Sequence, residues 1–90
     1  MKQKIANYTV LIERQKRMGT NKMCYMAYAP ILGIATDADF IEEAEKNIKS
    51  LIEFHIESLA REGEEIPIET GETFVTRSQV NLPKSALIMQ

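Results

Sequence analysis

An α+β domain in the order strand, strand, strand, helix, strand is what this sequence predicts, with one long helix packed on a mostly antiparallel sheet. Three observations carry that expectation. Apolar and polar residues alternate with a period of two in the first third of the chain, a long amphipathic pattern with marked ends fills the middle, and a weaker alternation returns between Thr73 and Leu82. Ninety residues leave room for a single domain, 1–83, and a short tail, 84–90. A chain of this size buries only about 60% of its unfolded surface, so self-association as a dimer or tetramer is expected.

The first strand is expected over Ile5 to Glu13, with Tyr8, Val10 and Ile12 on one face and Thr9, Leu11 and Glu13 on the other. Gly19, Thr20 and Asn21 supply turn chemistry, and Met23 to Ala29 forms the second strand of a hairpin that Pro30 ends, because proline has no ladder donor. After Gly33, Ile34 to Thr36 can pair as a brief third strand. The helix is expected from Phe40 to about Glu62. Asp39 is placed as its N-cap with Glu42 at N3, Arg61 complements its negative end, and Gly63 suits the left-handed position beyond it. Ile41, Ala44, Ile48, Ile52, His55 and Leu59 form the stripe that should lie on the sheet. Phe54 falls outside that stripe and groups with Phe40, Asn47, Leu51 and Ser58. Thr73 to Leu82 is expected as a fourth strand closed by Pro83.

Composition excludes several classes. A formal net charge of -2 gives no global footprint for nucleic acid, so any such contact is local. One cysteine, Cys24, closes no intrachain disulfide, and one histidine, His55, makes no zinc ligand set; no metal or cofactor is expected. The start of the chain, MKQKIANYTVLIE, reads as a strand rather than a signal peptide or membrane span, which makes the protein cytoplasmic in expectation. Within the helix stripe His55 is expected as a partly buried, hydrogen-bonded side chain, and Cys24 as a small core residue. Met18 is an apolar residue at a turn where solvent is expected.

In order along the chain stand YTVLIE, the proline-closed YMAYAP, GIAT, the acidic helix start DFIEEAEKNI and the helix end REGEEIP. This ordered set, covering nearly the whole chain, resembles the HicB-like antitoxins. The resemblance implies a truncated RNase H-like fold in a protein that binds and neutralises HicA, a small mRNA-cleaving toxin. Members often carry a C-terminal DNA-binding module as well; only seven residues follow Pro83 here, so none is expected. The chain departs from the family pattern at Ala38 and Phe40, where a glycine and a Ser or Thr cap are usual, in the short ILG loop after Pro30, and in a basic hairpin turn.

Four readings follow. In the first the chain is a binding protein and not an enzyme; it masks a HicA-like toxin, with Phe40, Leu51 and Phe54 as the partner or oligomer interface and Glu64 and Glu65 as acidic residues facing a basic toxin. The second is an orphan HicB-like oligomer with weak nucleic-acid binding or a regulatory role. Arg14, Lys16, Arg17 and Lys22 in the stretch RQKRMGTNK are its candidate peripheral phosphate contacts. The third is a nucleic-acid-binding repressor resting on that stretch with Lys2, Lys4 and Arg77; without interleaved aromatics its binding is expected to be weak, nonspecific and dependent on salt. The fourth, a degenerate RNase H-like nuclease, needs carboxylates converging on metal ions, and the candidates are only Glu13, Asp37 and Asp39. Membrane association is not expected.

Overall fold

The computed structural model describes residues 4–89. Its elements are β1 (Leu11–Lys16), β2 (Met23–Ala29), β3 (Ile34–Ala38) and α1 (Ile41–Arg61). The strands form one antiparallel sheet in the order β1-β2-β3, and α1 covers one face of it, so the α+β class holds.

Register explains where the expected boundaries shift. Leu11 pairs with Tyr28 and Lys16 with Met23, so β1 begins six residues later than Ile5 and runs three past Glu13. Thr9 falls opposite Pro30, which offers no N–H, and the ladder therefore stops at Leu11. Residues 5–10 continue beyond the sheet as an unpaired extension. The turn itself is short: the Arg17 amide donates to the Lys22 carbonyl at 2.8 Å. Arg14 and Lys16 thus belong to β1 and not to the hairpin tip. On the other side of β2, Gly33 at φ +66 lets its amide reach back to the Ala29 carbonyl at 2.9 Å, which brings β3 into register from Ile34 to Ala38, two residues beyond Thr36.

Alternation sets the core. Ile12, Ala27 and Thr36 stand opposite one another, as do Arg14, Tyr25 and Ala38, and this is the face under α1. Ala27, Ala38 and Ala44 are buried and let helix and sheet approach closely; Ile48, 2% exposed, is the one large side chain fully enclosed among the described residues. Val10, Ile12, Tyr25, Ile34, Leu51 and Ile52 pack around this cluster. Of the expected stripe, Ala44 and Ile48 are buried and Ile52, His55 and Leu59 half-buried, while Ile41 remains 41% exposed.

The helix ends differ in how far the sequence foretold them. At the C-terminus the Gly63 amide donates to Ala60 O and the Glu64 amide to Leu59 O, with Gly63 at φ +71, a complete Schellman closure. At the N-terminus the cap is Phe40, in extended conformation and without a side-chain hydrogen bond, not Asp39. Asp39 is one residue too early and its carboxylate is held by Arg17 instead.

The expected fourth strand does not form: Thr73 to Leu82 pairs with no strand and is exposed throughout. The segment beside the extension of β1 is Ile66 to Glu69, tied by side chains and not by a ladder.

Candidate binding surfaces

Three surface features carry the residues with binding or chemical potential. At the turn end of the hairpin Arg17 reaches across β2 to β3, its Nε 3.5 Å from Asp37 Oδ2 and its Nη2 3.2 Å from Asp39 Oδ1. The Nε is enclosed without a hydrogen-bond partner, above the buried Cys24. Loss of water around the guanidinium would by itself favour its neutral form, but Asp37 and then Asp39 outweigh this and keep it more firmly charged than usual. Arg17 is therefore a strap joining the hairpin to the entry of α1, set apart by these ion pairs from the neighbouring cations with which the sequence groups it as a phosphate contact. Arg14, Lys16 and Lys22 are exposed as expected. Met18 lies at the tip, 97% exposed. Glu13 is exposed on the sheet face away from α1, in line with Met26 and Asp37 across the sheet. Among the described residues no three acidic, histidine or cysteine side chains come together as a ligand set for a metal ion.

The second feature is a clasp that sequence reasoning missed. Glu69 accepts from the Thr9 amide at 2.8 Å through Oε1 and from the Thr9 hydroxyl through Oε2, and Thr73 Oγ1 donates to Oε2 at 3.3 Å. Nearby, the Tyr8 hydroxyl donates to the Pro67 carbonyl at 2.6 Å. Bonding from the Thr9 hydroxyl and then from its amide holds the Glu69 carboxyl below the ordinary value of 4.5, against a smaller desolvation effect. The sequence carried no local signal for it, because the two partners stand sixty positions apart.

The third feature is the helix with its flanks. Between Glu42 and Glu65 the helix and its C-terminal turn display eight exposed carboxylates against three exposed cations, Lys46, Lys49 and Arg61. Glu64 and Glu65 lie in solvent just past the Schellman turn. Phe40 and Phe54 are 62% and 65% exposed, whereas Leu51 packs against the core cluster. Fourteen positions separate the two phenylalanines, about 21 Å along the axis at 1.5 Å per residue, so they are separate anchors and not one patch.

Because α1 lies mainly over β3 and β2 and meets β1 only sparsely, helix and sheet gape on the β1 side. The gap is a groove of about 1010 Å³ walled by Ile5, Ile12, Ile48, Ile52, Ile56 and Ile68.

Compared with known proteins, the chain is 42% identical over 66 residues to the UPF0150 protein ssr1765 of Synechocystis sp., a stretch covering 72% of this chain and 77% of that one. No family model and no solved structure matches. No helix among the described residues is long and apolar enough to cross a membrane.

Proposed function

The chain belongs to the UPF0150 family, and from that premise we propose that it is an inhibitory binding protein for a small mRNA-cleaving toxin of the HicA type. The observation that carries the reading is the carboxylate-rich face of α1, continued by Glu64 and Glu65 at a helix end fixed by Gly63. A protein that grips RNA presents a basic surface, and a rigid acidic ridge steers toward that surface and covers it. In this reading no residue of the chain performs catalysis. Phe40 and Phe54 supply apolar anchors that the acidic ridge itself lacks. Resemblance of the ordered motifs YTVLIE, DFIEEAEKNI and REGEEIP to the HicB-like antitoxins supports the same conclusion.

The test is co-expression with a short basic protein of the toxin type, encoded in the neighbouring reading frame. Growth arrest caused by that protein should be relieved by the wild-type chain and restored when Glu64→Lys and Glu65→Lys are introduced together. Failure of the wild-type chain to relieve arrest, with no complex on gel filtration, overturns the proposal.

A further inference from the structure

Two apolar features of the molecule are left uncovered. One is the isoleucine groove under the gaping side of α1, with Ile5 88% exposed at its rim. The other is the segment after the Glu69 clasp, in which Val80, Leu82, Leu87, Ile88 and Met89 are all at least 61% exposed. The molecule measures 61 × 31 × 22 Å. A helix of 21 residues spans only about 32 Å, so the long dimension exceeds the helix by roughly 29 Å.

The arm cannot easily fill the groove of its own chain. Residues 73–76 run past Thr9, Leu11, Pro30 and Ile31, and in the alternation of this strand Thr9 and Leu11 face away from Val10 and Ile12, which line the groove. The arm thus departs on the sheet face opposite the groove, and the Glu69–Thr9 clasp closes the edge around which it would have to turn.

We propose that two copies of the chain exchange arms, residues 77–89 of each lying in the isoleucine groove of the other. A two-fold axis makes the exchange reciprocal and leaves no open end. Thirteen extended residues reach about 43 Å, enough to cross a three-stranded sheet roughly 14 Å wide and follow the groove. An interface of standard size, about 1,600 Å², needs about 400 Å² from each arm and as much from each groove, or about 80 Å² from each of the five apolar side chains. The proposal does not depend on a toxin partner.

The experiment uses the full chain carrying Cys24→Ala, with Ile5→Cys in one preparation and Leu82→Cys in another. An equimolar mixture under mild oxidation should give a covalent heterodimer that neither preparation gives alone, and unmodified protein should sediment as a dimer that Val80→Asp with Leu82→Asp converts to monomer. Three results overturn the proposal: a wild-type monomer throughout the micromolar range, ring closure within a single chain carrying both cysteines, or a dimer that withstands the arm substitutions and forms no cross-link. Loss of toxin neutralisation with the dimer intact would strike only the proposed function.

Discussion

Replacing Ile48 by alanine tests how this small fold is held together. The buried core among the described residues consists of Cys24, Ala27, Ala29, Ala38, Ala44 and Ile48, so its one large enclosed side chain is Ile48. Ile48→Ala deletes three carbons, worth about 2.4 kcal/mol at about 0.8 kcal/mol each. Relaxation offers little relief, because the neighbouring Ala27, Ala38 and Ala44 have no rotamers with which to fill the space. Water can enter from the adjoining groove and limits the cavity cost, which brings the expected loss to about 3 kcal/mol. A 90-residue domain has a total stability of about 5–13 kcal/mol, so the variant sits near the edge of folding. Urea denaturation followed by circular dichroism should show an unchanged slope and a midpoint lower by about 2 M for a slope of about 1.5 kcal/mol/M. Ile48→Val should cost about 1 kcal/mol, and Phe54→Ala, at a side chain 65% exposed, much less. If Ile48→Ala cost no more than Phe54→Ala, the alanine-floored core would not be what stabilises the helix on the sheet, and the reasoning would fail.

Three further outcomes are expected. Since the Glu69 carboxyl is held below its ordinary value of 4.5, the clasp contributes fully above that pH and is lost as pH falls through the lowered value; Glu69→Gln should flatten this part of an acid unfolding curve. Gly63→Ala meets no neighbour within 4 Å, so its cost is the left-handed backbone alone, about 1 kcal/mol, seen as a melting temperature lower by about 4–8 °C. Arg14, Lys16 and Lys22 replaced together by Ser should leave partner affinity in calorimetry nearly unchanged, whereas Arg17→Ser alone should loosen the entry of α1, read as faster amide exchange in its first turn.

What could be read from the sequence was local. The second strand follows from its alternation and from Pro30, and the helix C-terminus from Gly63, because each signal lies within a few residues of the element it ends. What escaped was set by distant partners. The start of β1 depends on where β2 stops, Asp39 is taken from capping by Arg17 more than twenty positions away, and Glu69 finds Thr9 across sixty. The weak alternation of residues 73–82 promised a strand, but a strand also needs a free edge within reach of the same chain, which no periodicity reports. Among the site residues, the exposure of Phe40 and Phe54 was legible from their place off the helix stripe; the core role of Leu51 was not, because the half-turn between the two faces is filled by whatever the sheet beneath presents.

The Glu69 clasp has an engineering consequence. It sets residue 69 beside residue 9, so the folded body enters and leaves at one corner, at the opposite end of the first hairpin from its turn. A linker from residue 70 back to residue 8 would be short, and the body is a natural candidate for circular permutation, with new ends opened at the solvent-exposed Met18–Gly19 bond. Modules fused ahead of residue 8 or behind residue 69 would emerge together from that corner, side by side.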